Sequence, residues 1–190
     1  MPLDESQIAR TLFAYMTQYP EEVAVLTPLN RVLNEHVRHG RCQHGDLCPQ
    51  VAASALVVDE RDMVLALWDS TCSRWRLPRL LPHAADDSLY DTAERAASHV
   101  TGIAELWRTD FIADAVDIHF QRDRLGSDVR LSYEFRYLLR SYSYALPLST
   151  PRHIQWRQIN EAVQQERLQR RLVDDYLSER PMCRRIGLAV

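Results

Sequence analysis

The order of hydrophobic patterns along the chain predicts an α/β fold, with a mixed sheet sandwiched by helices and a helical extension in front of it. Three observations carry this. Two apolar runs, residues 51–58 and 63–68, flank the polar turn Asp59-Glu60-Arg61-Asp62, which is a hairpin signature. A helical pattern at 88–100 follows, and then two long strand-like stretches whose polar and apolar residues alternate. A charged helix closes the series, and strands interleaved with helices of this kind build layered sandwiches.

The elements follow in order. Residues 4–38 read as helix, with Asp4 or Ser6 as cap and Ile8, Leu12, Phe13 and Met16 at helical spacing. Tyr19-Pro20-Glu21-Glu22 marks a break and restart, because proline suits a first helical turn. Val23, Leu26, Leu29, Val32 and Leu33 continue the apolar stripe, and Pro28 is expected to split or kink it. The polar loop 39–50 holds two of the five glycines and leads into the hairpin. SRWRLP, 73–78, is a short strand. Asp87 or Ser88 caps the helix 88–100, which turns Leu89, Ala93, Ala96, Ala97 and Val100 inward and closes at Gly102. Strands are expected within 105–121 and over 129–142, then at 153–159. In the final helix, 160–178, Ala162, Leu168, Leu172 and Leu177 are the anchors, while Arg167, Arg170 and Arg171 read as a solvated face. The tail from Pro181 is expected to be loose. No internal repeat or low-complexity segment divides the chain.

Composition excludes several classes. With 190 residues, 46 % hydrophobic and 26 % charged, the chain has the make-up of one soluble globular domain with a proper core and some extra helix. A net charge of −3 argues against a general nucleic-acid field. No apolar run reaches membrane length, and the acidic start MPLDESQIAR is unlike a signal peptide. The four cysteines, Cys42, Cys48, Cys72 and Cys183, are irregularly spaced, which suggests free thiols and a cytoplasmic location. No serine-hydrolase elbow, P-loop or CxxC pair is present.

Several of these segments, taken together, resemble the Nudix superfamily over about residues 50–175. VAASALVVDE and VLALWD are similar to that family's opening hairpin. Trp75 and Leu77-Pro78 sit where a tryptophan and Leu-Pro precede its box, G-x5-E-x7-R-E-U-x-E-E-x-G-U. Arg95 falls on the box arginine and Gly102-Ile103 on its closing pair. VDIHFQR, YEFRYLL and IQWRQINEA resemble its later strands and last strand-to-helix step, and the front helices resemble an extension of many bacterial members. The resemblance implies a Nudix-type α/β/α sandwich over 49–180, behind a helical extension at 1–48 and ahead of the tail 181–190.

The box is degenerate. Arg79 and Leu80 replace its glycines, the loop is one residue longer, and the first glutamate falls on Asp86 or Asp87. The three helix glutamates fall on Ala96, His99 and Val100. The family's chemistry needs Mg²⁺ or Mn²⁺ on convergent carboxylates, which neutralise a diphosphate and activate water. Ala96 and Val100 supply no ligand, and His99 suits a transition metal better than Mg²⁺. Arg95 orients a glutamate in the family; here its partner is Asp86, Asp87 or Glu94, and a surface salt bridge is the plainer expectation.

Three functional readings stay open. In the first, diphosphate hydrolysis is lost, and the cleft serves a small anionic or nucleotide-like ligand, or a protein partner, in a regulatory or biosynthetic role. Trp75, Arg79, Arg95, Asp117, His119 and Arg136 are then the candidate contacts. In the second, an enzyme survives with a rebuilt site drawn from Asp86, Asp87, Glu94, His99 and Glu134, with a different metal or none; it hydrolyses a phosphorylated or nucleoside-diphosphate-linked substrate, or catalyses another reaction with His119 and Glu134 as acid and base. A structural protein that dimerises through its terminal helices is a third. His39, Cys42, His44 and Cys48 lie close enough in sequence to consider Zn²⁺, against the plainer reading of a polar loop.

Overall fold

A computed structural model describes residues 5–39, 48–103, 106–108, 115–125, 128–142, 146–147, 150–163 and 165–172. Helix α1 spans Glu5–Gln18, a 3-10 turn Pro20–Glu22, and helix α2 Val23–His39. The break at Pro20 thus falls where expected. Pro28 does not split α2, which runs through it as one helix. The strands are β1 Gln50–Val58, β2 Val64–Asp69, β3 Arg74–Arg76 and β4 Arg79–Leu80, followed by helix α3, Leu89–Thr101. Then come β5 Trp107–Arg108, β6 Asp117–Leu125, β7 Asp128–Arg140 and β8 Ile154–Arg157. Among the described residues of the expected helix 160–178 there are two short pieces, α4 Ile159–Ala162 and α5 Glu166–Arg171. The break falls at Val163, which is extended (φ −123°, ψ 107°) and buries its side chain in the cluster with Leu56, Leu138, Leu168 and Leu172. Residues 173–190, with the anchor Leu177 and the tail, lie outside the described residues.

The sheet is mixed and runs β3-β2-β1-β7-β5, with β6 beside β7, β4 beside β1 and β8 beside β2. Among the described residues only β1 and β7 pair in parallel, over the whole length of β1. The opening hairpin is pinned at its turn, where the Asp59 carboxylate accepts from the backbone N–H of Arg61 and of Met63, both at 2.9 Å. Beyond Val58↔Val64, β2 leaves β1, and β4 takes its place at Ala53↔Leu80 and Ser54↔Arg79. β2 instead pairs with β3 and β8. This splaying opens a gap between the β2–β3 wall and the β1–β7–β6 floor.

Side-chain alternation separates two cores. Val51, Ala53, Ala55 and Val57 of β1 join Tyr133, Phe135 and Tyr137 of β7 in a cluster that takes in Ala93 and Ala97 of α3. Ile8 and Leu12 of α1 and Leu26 and Leu29 of α2 belong to the same cluster, so the front helices share the main core. The opposite face packs Leu56, Val64, Leu138 and Val116 against Ala162, Val163 and Leu168. Helices thus cover both faces of a mixed sheet, the layered architecture expected. Among the described residues no helix is long and apolar enough to cross a membrane.

Candidate functional site

The gap between wall and floor is a cleft of about 430 Å³, within the range that holds small ligands. Strand registry builds its floor. Arg79, Ser54, Arg136 and Asp117 lie in one row across β4, β1, β7 and β6. In the next row His119 of β6 stands opposite Glu134 of β7, and Gln121 pairs with Ser132 beyond it. All sit on the face opposite Tyr133 and Phe135, as the polar alternation of these strands requires.

These polar groups bind one another. Glu134 Oε1 accepts from Ser54 Oγ at 2.8 Å and from Arg136 Nε at 3.0 Å. Its Oε2 lies 3.4 Å from Arg79 Nε, an ion pair without hydrogen-bond geometry, while Arg79 Nη2 donates to Ser132 Oγ at 3.2 Å. Burial opposes ionisation of Glu134, but Arg136, Ser54 and Arg79 outweigh it and hold the carboxyl below its ordinary range. Arg136 Nη1 donates to Gln165 Oε1 at 2.7 Å and to Asp117 Oδ2 at 3.3 Å. Asp117 itself is fully buried and is not part of the cleft lining. Burial, helped by the positive charge of Arg136, lowers the pKa of His119, which favours the neutral imidazole.

The wall is aromatic and basic. Trp68 and Trp75 meet edge to face at 5.3 Å across β2 and β3, and the Arg157 guanidinium covers the Trp75 ring at 4.8 Å. Asp69 accepts from Thr71 and pairs with Arg76 at 2.9 Å; its Thr71 hydrogen bonds lead the groups that pull its carboxyl down to about 2. The residues lining the cleft include Arg74, Arg76, Arg79 and Arg136 and the acids Asp69 and Glu134. Four cations against two anions leave an excess of two positive charges, in a chain whose net charge is −3.

Of the candidates named from sequence, Trp75, Arg79, His119, Glu134 and Arg136 come together here, and Asp117 supports them from below. Asp87, Glu94, His99 and Arg95 are not in the lining. Arg95 has a different partnership. Its Nε and Nη2 grip both oxygens of Asp86 at 2.8 and 2.7 Å, and Nη2 also donates to the Leu81 carbonyl at 3.0 Å. Thr92 Oγ1 and the His83 backbone N–H complete the shell of Asp86, both at 2.8 Å. This bidentate clamp, buried at Asp86 and 37 % exposed at Arg95, ties the 81–88 loop to α3; Asp86 is one of the partners expected, and the bond is more closely made than a plain surface salt bridge. The Arg95 bonds chiefly hold the Asp86 carboxyl well below its usual range. Of the two cap candidates, Ser88 is the cap, its hydroxyl accepting from the Asp91 N–H at 3.1 Å.

The residues do not fit a Mg²⁺ or Mn²⁺ site on α3. Ala96 is buried in the helix–sheet contact, Val100 packs against the main core and His99 is exposed. Asp86 already satisfies both oxygens. Among the described residues no three His, Cys, Asp or Glu side chains gather where they could hold a metal ion. In the sequence candidate for Zn²⁺, Cys42 and His44 lie outside the described residues, and His39 is exposed on the last turn of α2. Cys48 is disulfide-bonded, which corrects the expectation of free thiols throughout and leaves no thiolate there. Irregular cysteine spacing carries no signal for pairing, which depends on where the fold brings the Cβ atoms. His36, beside it, is buried between Glu5 at 2.8 Å and Cys48 Sγ at 3.4 Å. Cys72 is free and exposed.

Sequence reading missed the far end of the polar network. Arg171, assigned to a solvated face, is buried: it bonds Tyr15 Oη at 2.6 Å and Glu22, and lies 3.5 Å over the Tyr19 ring. Arg167 bridges Glu22 Oε2 at 2.8 Å and Asp117 Oδ1 at 2.5 Å. The available signal was Glu22, an acid on an otherwise apolar stripe. Its arginine partners, about 150 residues away, are joined to it only by the fold.

No family model matches the chain, and no curated protein matches it. Among solved structures it is similar to an Ap4A hydrolase of C. elegans, at 12 % identity and a TM-score of 0.46 over 65 % of this chain and 96 % of that one. It is likewise similar to the NUDIX domain of Shewanella oneidensis NrtR solved with ADP ribose, at 14 % and 0.46 over 69 % and 86 %. A MutT NUDIX hydrolase of Burkholderia pseudomallei follows, at 14 % and 0.44 over 60 % and 85 %. The chain is thus similar in outline to proteins of Nudix fold, and the chemistry of its cleft rests on its own residues.

Proposed function

We propose that the chain binds a small anionic, nucleotide-like ligand in the β2–β3/β6–β7 cleft, without a divalent metal, in a regulatory or biosynthetic role. The observation that carries this is the charge balance of the lining, four guanidiniums against two carboxylates. A site that binds a metal–diphosphate complex needs the opposite balance, because carboxylates hold the cations. Guanidinium forks bind phosphate or carboxylate oxygens directly. Arg79 pairs with Glu134 at 3.4 Å without hydrogen-bond geometry, and Arg136 divides itself between Glu134 and Asp117, so an anion at the floor gives Arg79 a better partner. Trp68 and Trp75 supply a wall suited to a planar group such as a base.

His119 gives a second reading specific support. A neutral imidazole lining the cleft opposite Glu134 is placed to take a proton from a bound ligand or water, with Arg79 and Arg136 near any negative charge that develops. The rebuilt site of that reading would then be His119 and Glu134.

Thermal stabilisation by ADP in EDTA tests the binding proposal. A ligand of the folded state raises the melting temperature by mass action. A rise with ADP that is absent with adenosine supports the proposal, and no rise with any anion counts against it. Turnover that disappears in His119→Gln but not in His99→Ala would favour the second reading.

A further inference from the structure

A continuous chain of charges runs from the front helices to the cleft floor, buried throughout except at Arg167, whose side chain is 42 % exposed. Glu22, in the 3-10 turn between α1 and α2, binds Arg171 and, at 2.8 Å, Arg167. Arg167 reaches Asp117 at 2.5 Å, and Arg171 lies 3.6 Å from the same oxygen. The other Asp117 oxygen meets Arg136 at 3.3 Å, and Arg136 meets Glu134 at 3.0 Å. Glu22 is 6 % exposed and Asp117 0 %. Buried ion pairs have few alternative partners, so displacing one member moves the next.

We propose that Glu22 is a positioning residue for the cleft. By holding Arg167 and Arg171 it leaves one oxygen of Asp117 free for Arg136, and so aims the Arg136 guanidinium at the floor. The front helices are on this account part of the binding device. The inference rests on the anion-cleft reading, and the sign of its effect separates it from a simpler one. Through charge alone, removing Glu22 makes the interior more positive and tightens anion binding. Through position, removing it lets two arginines compete for Asp117, frees Arg136 to shift and weakens binding.

The test is ADP affinity in EDTA, measured by calorimetry in the wild type, Glu22→Gln, Arg136→Lys and the double variant. Glu22→Gln weakens ADP binding about tenfold in the wild-type background and less than about twofold beside Arg136→Lys, since coupled residues are not additive. Tighter binding, equal weakening in both backgrounds, or no change would each overturn the proposal. A ligand-free readout accompanies it: the Nε–Hε resonance of Arg136, which is held by Glu134. In Glu22→Gln it shifts, and its exchange with water speeds up about tenfold or more, as local opening becomes easier. The Arg95 resonance, held by Asp86 outside this network, stays as it was. If ADP does not bind the wild type, or does not bind Arg136→Lys measurably, the Arg136 resonance still decides. Unchanged, it overturns the positioning role whatever becomes of the cleft reading.

Discussion

Asp117→Asn is the sharpest probe of the buried network. The side chain keeps its size and one acceptor oxygen but loses its charge. Asp117 is fully buried, accepts from Arg136 and Arg167, and lies 3.6 Å from Arg171. Its loss leaves three guanidiniums around a neutral amide, with Glu134 and Glu22 the remaining buried anions of this network. Breaking a buried pair by removing one partner costs about 3–5 kcal/mol. The retained acceptor argues for the lower end, about 3 kcal/mol. For a chain of this size that is a fall in melting temperature of roughly 6–12 °C, and in urea a midpoint lower by roughly 1–3 M. Urea unfolding followed by fluorescence and circular dichroism measures it. Glu166→Gln is the control, because its pair with Arg170 is exposed on both sides, and it shifts stability by less than about 0.5 kcal/mol. An Asp117→Asn cost below about 1 kcal/mol would refute the reasoning, since it would mean that water already screens these charges.

Arg79→Ala weakens ADP binding by about 1.5–3 kcal/mol, the worth of a charge-assisted contact, and flattens its dependence on salt, as a titration series at several ionic strengths measures. Trp75→Ala lowers affinity for ADP by about 1–3 kcal/mol, the scale of base–aromatic stacking, but leaves inorganic pyrophosphate binding unchanged in the same calorimeter. The carboxyl of Asp86 is held below its unfolded value of about 3.9, so its stabilisation is fully present above that value. It is lost as pH falls through the folded value. Arg95→Ala removes the main cause and costs about 0.5–1.5 kcal/mol near neutrality, because the Arg95 end of the pair is 37 % exposed and screened; the cost narrows to near zero at strongly acid pH, as urea midpoints across pH record.

How much of this was legible in the sequence depends on the range of each interaction. The hairpin, the capped helix ending at Gly102 and the alternating strands rest on local periodicity; the first two formed where expected, as did β7, while β6 runs on to Leu125, past the expected end at 121. His119, Glu134 and Arg136 were found because strand alternation puts polar residues on one face, and pairing then sets them side by side. Asp69, Arg74, Arg76, His153 and Gln165 were missed because the splaying of β2 from β1 brings them to the cleft, and no local pattern records that. The broken C-terminal helix was missed because Val163 extends to bury itself, a tertiary gain that overrides helical spacing. Arg171 was misjudged for a related reason, since a charged residue reads as solvated until its counter-charge arrives from the other end of the chain.

The central claim is that the cleft binds an anion through arginine and not through a divalent cation. ADP affinity measured once in EDTA and once in excess Mg²⁺ tests it most directly. The account predicts binding in both conditions, with the two affinities within about threefold, since the guanidiniums act alone. Binding that appears only when Mg²⁺ is present would contradict it and return the site to metal-dependent chemistry.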